Sequence, residues 1–169
     1  MKIIVPSIAL IVFSMLVASC STKIRRQATL SMEPTIKRGE LVRVDFSAYR
    51  SDKPKRWDVV LFETPHKSGG EWVKRVVGLP GETVDFSGGE LMIDGRSMRS
   101  PSHFALPLYT PPISDETRMY VYGVSQITYP YKIGSNQFFV IGDNVQNSLD
   151  SRYFGAIERV KILGRVLEK

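Results

Sequence analysis

The sequence predicts a mainly β chain behind a short apolar N-terminal segment, and three observations carry that expectation. Glu40 to Phe46 alternates, with Val42, Val44 and Phe46 on one side and Leu41, Arg43 and Asp45 on the other, which is the period of a half-buried strand. Trp57–Phe62 and Gln137–Ile141 are short apolar runs of strand length, rich in Val, Ile and aromatic residues. Beyond Cys20 nothing repeats at helical spacing for long enough to suggest a long helix.

The chain of 169 residues suits one domain with a real core, and 43% apolar and 24% charged residues are ordinary for a globular protein. Its net charge of +6 favours an anionic partner, either a lipid surface or nucleic acid. No zinc-finger spacing, RNA-binding aromatic signature or dense arginine run supports nucleic acid. The single cysteine, Cys20, excludes an internal disulfide, and neither of the two histidines, His66 and His103, stands in a metal-ligand spacing. No cofactor or metal is expected.

Residues 1–22 form the apolar segment, with Lys2 followed by eighteen uncharged residues from Ile3 to Cys20. A charged start, an apolar middle and small residues at the end describe an export signal or anchor. Leu16-Val17-Ala18-Ser19-Cys20 also resembles the lipobox of bacterial lipoproteins, in which the cysteine is acylated. Lys23, Arg25 and Arg26 follow the segment, which disfavours exporting the C-terminal side of an uncleaved helix. Both readings, acylated lipoprotein and uncleaved anchor, tether the remainder to membrane lipids.

Residues 23–169 are expected to form the globular part. Gln27 to Thr35 is irregular, because Pro34 forbids regular structure after it and pushes Glu33 towards extended backbone. A serine on such a segment, Ser31, can be presented to a cleft by its backbone. Strands follow at Glu40–Phe46, Trp57–Phe62 and Glu71–Gly78, separated by the polar loop Ser47–Arg56 and a turn at His66–Gly70. In the third strand, alternation sets Lys74 beside Trp72 and Val76 and sets Arg75 beside Val73 and Val77. A lysine between Trp and Val is a candidate for burial, and the alternative is that its head snorkels to water.

Leu79–Glu82 reads as a turn, Thr83–Phe86 as a short strand, and Glu90–Gly95 as a hairpin arm turning at Asp94-Gly95. Four prolines between residues 97 and 118 point to a long irregular insertion, within a region of about 97–135. Strand character returns at Tyr120–Tyr129, Gln137–Ile141 and Arg159–Leu167, the last with a possible bulge at Gly164.

SMEPT (Ser31–Thr35), WVKRVVGLPGETV (Trp72–Val84) and GDNVQNSLDSRYFG (Gly142–Gly155) resemble, in order, the characteristic boxes of bacterial type I signal peptidases. The likeness runs from about residue 29 to 165 and leaves the insertion unmatched. It implies a fold of coiled antiparallel sheets with a small inserted β or irregular region. It also implies an extracytoplasmic, periplasmic-face serine endopeptidase, tethered to the membrane and monomeric, that removes signal peptides from exported preproteins after small residues.

On that resemblance Ser31 matches the nucleophile and Lys74 the general base. Thr29 matches an oxyanion-hole hydroxyl that is usually serine, and Ser148 the hydroxyl that orients the lysine. Asp143 matches a partner of Arg75, and Asp150 a partner of Arg152. The chemistry is self-consistent. Serine attacks only when a base takes its proton, and lysine, with a solution pKa of about 10.4, is such a base only if burial disfavours its charge.

The chain departs from the family pattern at Val145 and Gln146 (commonly Arg and Asp), at Glu33 (commonly uncharged) and at Trp57 (commonly Gly). Self-cleaving repressors share a Ser/Lys dyad, but the apolar N-terminus and the GDN…SLDSR box argue against them. The other alternative is an inactive or client-dedicated membrane-tethered β module that binds exported polypeptides.

Overall fold

The computed structural model describes residues 21–65, 69–98 and 127–167. The apolar segment to Cys20, both histidines and most of the expected insertion lie outside the described residues. Among the described residues no helix is long and apolar enough to cross a membrane.

The described strands are antiparallel neighbours in two sheets. The larger has the order β1 (Thr22–Arg26), β2 (Leu41–Asp45), β11 (Ile162–Leu167), β3 (Val59–Glu63), β4 (Glu71–Gly78), β9 (Gln137–Ile141), β10 (Ile157–Glu158). The smaller has the order β7 (Arg96–Ser97), β6 (Glu90–Ile93), β5 (Thr83–Ser87), β8 (Tyr131–Lys132). A 3-10 turn (Val145–Asn147) and one α-helical turn, α1 (Ser151–Phe154), lie between β9 and β10.

The alternation expected in β2 is realised: Val42 and Val44 are buried while Leu41 and Arg43 are exposed. β4 has the expected limits but not a half-buried pattern, because Val73 to Gly78 are all buried. Strands flank it on both sides and side chains cover both faces, so its alternation separates two interiors rather than core from water. The hairpin turns at Asp94-Gly95, where Asp94 has φ 48° and Gly95 φ 75°, the pair of left-handed residues that a tight turn requires. The bulge at Gly164 is present as a register shift between Ile162 and Gly164 opposite β3.

One expectation needs correction, one lies mostly outside the described residues, and one strand has no counterpart in the sequence reading. Arg159–Lys161 is a 3-10 turn, so the last strand begins only at Ile162. The strand expected over Tyr120–Tyr129 lies mostly outside the described residues; its described end, Ile127–Tyr129, is irregular, and pairing with β5 starts at Tyr131. β1 has no apolar alternation and was not expected, yet it pairs with β2 from Thr22↔Asp45 to Arg26↔Leu41.

Cross-strand register assigns the core. Val59, Leu61 and Val73 pack with Met32, Ile36, Val42, Val44 and Val166 on one side of the large sheet. Val60, Phe62 and Val76 pack with Phe138, Val140, Ile157 and Ile162 on the other. A third cluster, including Val77, Val84, Leu91, Ile93, Ile133, Phe139 and Ile141, joins the small sheet to the end of β4 and β9. At that junction Gly78 lies against Ile133, Phe139 and Val84, with no room for a Cβ.

Candidate active site

The segment between β1 and β2 carries Ser31, and its packing explains how an irregular stretch is held. Met32 is fully buried and Ile36 nearly so, both in the core under β2 and β3. From the other side Asn144, just beyond β9, donates its backbone N–H to Ser31 O at 3.0 Å and its Nδ2 to Leu30 O at 3.2 Å. Gly142 lets these chains approach, since a Cβ there would collide with Ser31 O and with the Ser148 side chain. The Glu33–Pro34 peptide is cis.

Lys74 stands on β4 opposite Val60 and on the same face as Trp72. Its Nζ lies 2.8 Å from Ser31 Oγ and 3.1 Å from Val73 O. The side chain does not snorkel: Lys74 is 4% exposed and Ser31 is 3% exposed. Burial pushes the Lys74 ammonium down from 10.5 to about 8, with Arg152 assisting, while the charges of Asp150 and Asp143 pull the other way. The Trp72 ring, 5.6 Å from Nζ, also favours the charged form a little. Desolvation wins, and an appreciable share of the amine is neutral near pH 8.

Thr29 Oγ1 lies 3.0 Å from Ser31 Oγ, and the Ser31 N–H points at Thr29 Oγ1 across 3.4 Å. The Ser31 amide and the Thr29 hydroxyl are therefore side by side next to Oγ. Ser148 is buried, but its hydroxyl donates to Asp150 Oδ2 at 2.6 Å, and Lys74 Nζ makes its own contacts with Ser31 and Val73. A carboxylate is a stronger acceptor than an amine is, so the Ser148 hydroxyl directs its hydrogen to Asp150.

Two buried ion pairs frame these groups. Arg75 grips Asp143 with two parallel bonds, Nε to Oδ1 at 3.0 Å and Nη2 to Oδ2 at 2.8 Å, and donates to Trp57 O at 2.7 Å. Asp150 is fully buried; Arg152 meets it through Nε at 2.8 Å and Nη2 at 2.9 Å, and the Gly142 N–H adds a bond at 3.0 Å. Asp150 also caps α1 by accepting from the Arg152 N–H at 3.2 Å. One carboxylate thus ties together β9's end, Ser148 and the short helix.

With this geometry in hand, comparison with known proteins gives a direct answer. The family model described as signal peptidase, peptidase S26, matches residues 1–168. The chain belongs to the signal peptidase, peptidase S26, family. Among its relatives is a "Probable signal peptidase I-2" of Synechocystis, 32% identical over 140 residues that make up 80% of this chain and 56% of that protein. Another is "Signal peptidase I V" of Bacillus subtilis, 32% identical over 138 residues, 80% of this chain and 77% of that protein. A solved signal peptidase I from Enterococcus faecalis is 28% identical and covers 69% of this chain and 97% of its own, with a TM-score of 0.45.

The departures of this signal peptidase family chain acquire physical meaning. Val145 is buried in the junction core, and its carbonyl accepts from Arg152 Nη2 at 2.8 Å. Gln146 is exposed. Trp57 has φ 76°, a conformation that glycine adopts freely and a bulky residue does not. Glu33 accepts from the Arg38 N–H at 3.2 Å, inside its own loop. Sequence reasoning passed over Gln27 and Asn144, and nothing local marks either, since both act through the folded loop.

Proposed function

We propose that this chain is a membrane-tethered serine endopeptidase that uses Ser31 and Lys74 as a dyad to remove N-terminal signal peptides from exported preproteins. The observation that carries the reading is the 2.8 Å contact between Ser31 Oγ and a buried lysine amine lowered to about 8. Neutral Lys74 takes the hydroxyl proton as Oγ attacks the scissile carbonyl carbon. The carbonyl oxygen becomes an oxyanion beside the Ser31 N–H and the Thr29 hydroxyl, where preformed donors stabilise it. Charged Lys74 then returns the proton to the departing amine, and the neutral amine activates water against the acyl-serine ester. Because the Ser148 hydroxyl donates its hydrogen to Asp150, its lone pairs are left to face the lysine when that is charged.

The sheet supports an extended substrate. β9 pairs with β4 only from Arg75 onward, so Glu71–Lys74 have no strand partner in register on that side among the described residues. A preprotein segment adding there as a strand brings its backbone to Ser31, and the walls near Ser31 and Trp72 favour small residues such as Ala at the first and third positions before the cut. Arg75–Asp143 and Asp150–Arg152 act as structural support, each costly to break by halves. The catalytic part is extracytoplasmic and monomeric, and the apolar segment, with acylated Cys20 or as an uncleaved anchor, holds it at the lipid surface.

Cleavage of a preprotein ending its signal in Ala-X-Ala, with purified full-length protein in lipid or detergent, tests the reading. Ser31→Ala and Lys74→Ala are each expected to lower kcat by at least about 10³-fold with the fold intact. Full cleavage by both variants would leave an inactive or client-binding β module as the better account.

A further inference from the structure

Gln27 is a polar side chain in a place where it has no obvious reason to be. It is 4% exposed, and its backbone extends the β1–β2 ladder through Gln27 N to Glu40 O at 2.8 Å and Gly39 N to Gln27 O at 2.7 Å. Its side chain turns along the nucleophile segment: Nε2 donates to Thr29 O at 3.0 Å and faces Thr29 Oγ1 at 3.3 Å. A carbonyl oxygen only accepts, so the Thr29 carbonyl fixes which end of the Gln27 amide faces the loop, and it is the NH₂ end. That group has two hydrogens, one for each Thr29 oxygen.

The consequence is a proton count at Thr29 Oγ1. A hydroxyl has one donor and two lone pairs. Two N–H groups address the lone pairs of Thr29 Oγ1, Gln27 Nε2 at 3.3 Å and the Ser31 amide at 3.4 Å. The remaining neighbour is Ser31 Oγ at 3.0 Å, so the hydroxyl hydrogen goes there. When Lys74 is neutral and its Nζ has a lone pair, Ser31 Oγ, accepting from Thr29, is left to direct its own hydrogen to that Nζ, 2.8 Å away. Without the Gln27 amide, the Thr29 hydroxyl is free to rotate its hydrogen towards its own segment.

We infer that Gln27 is a positioning residue, which keeps the Thr29 hydroxyl hydrogen turned away from its own segment and towards Ser31 Oγ, the side from which it meets the oxyanion that forms when Oγ attacks. The inference deepens the dyad reading and rests on it. Gln27 does not touch the substrate; its effect passes through Thr29.

Gln27→Met keeps length and removes the donor. Assayed as the full chain on the same preprotein, Q27M is expected to lower kcat by about tenfold, the scale of one neutral hydrogen bond, with KM changed less than about twofold. The apparent pKa of the activity should match wild type, because the base is untouched. In a Thr29→Val background, itself slower, Q27M should change kcat by less than about twofold, since the hydroxyl it serves is gone. Gln27→Leu carries the same expectation should the methionine variant fail to fold.

Two results overturn the inference. One is wild-type kcat in Q27M. The other is an equal loss from Q27M with Thr29 intact and with Thr29→Val in place, which would mean that the amide only braces the loop. If Ser31→Ala leaves cleavage intact, the dyad reading falls and the role of Gln27 falls with it, so the two failures read differently.

Discussion

Lys74 is where residue-scale physics is most exposed. In the unfolded chain its amine ionises near 10.5, while in the fold it ionises near 8 because water is excluded. Below pH 8 both states are charged and the folded state bears the full desolvation cost. Between pH 8 and 10.5 that cost fades as the folded amine loses its proton, and above 10.5 it is gone. Lys74→Met should therefore raise Tm at pH 6.5 by about 2–4 °C or more, with the gain shrinking towards zero near pH 10.5. Calorimetry at the two pH values checks this, and a gain that is constant across the range would mean that Lys74 carries no buried charge.

Elements decide whether correct residues meet. The Ser31 segment is wedged between the core under β2–β3 and the turn after β9, and Gly142 is a point of close approach. Gly142→Ala should push Ser31 away from Lys74 and lower kcat by about 10²-fold, the cost of a displacement near 1 Å. Gly78→Ala meets Ile133, Phe139 and Val84 at the junction of the sheets, away from Ser31. It should cost about 1–3 kcal/mol of stability through overpacking, with kcat of the folded enzyme close to wild type. Denaturant titration and kinetics on both variants separate the cases. Equal effects on kcat would mean that the two glycines do not divide the labour this way.

At this scale the limits of sequence reading are also clear. β2 announces itself because one face meets water, so polarity alternates; β4 is buried on both faces, and its limits come from Gly78 and the turn that follows. β1 is unreadable locally because Thr22–Arg26 is held by its neighbour rather than by its own pattern. The same holds for α1, a single turn that exists because Asp150 caps it while gripping Arg152. The approach of Ser31 to Lys74 spans 43 positions; no local rule predicts it, and only the resemblance of three ordered boxes suggested it. That Ser148 serves Asp150, and that Gln27 reaches Thr29, were beyond any pattern, since both depend on where neighbouring chains run.

The described residues form a large sheet packed on both faces, with a small sheet attached through the end of β4 and β9. Pairing between β4 and β9 begins only at Arg75, the residue after Lys74, which leaves room beside the proposed base. The net charge of +6 is the sign that the proposed tether to anionic lipid calls for. The two forms of that proposed tether differ at the N-terminus. Mass spectrometry of the mature protein is expected to find either an acylated Cys20 as the first residue or an intact Met1-Lys2 start; cleavage before residue 20 or beyond it, with no acyl group, would mean that the chain has neither tether.

The central claim is that a neutral buried lysine is the base for Ser31. The pH dependence of kcat/KM for preprotein cleavage by the wild-type protein tests it most directly. The account predicts a rise with a single apparent pKa of about 8 and a plateau above it. A profile that is flat from about pH 6 to 10, or one that climbs only as ordinary lysine ionises near 10.5, would contradict it.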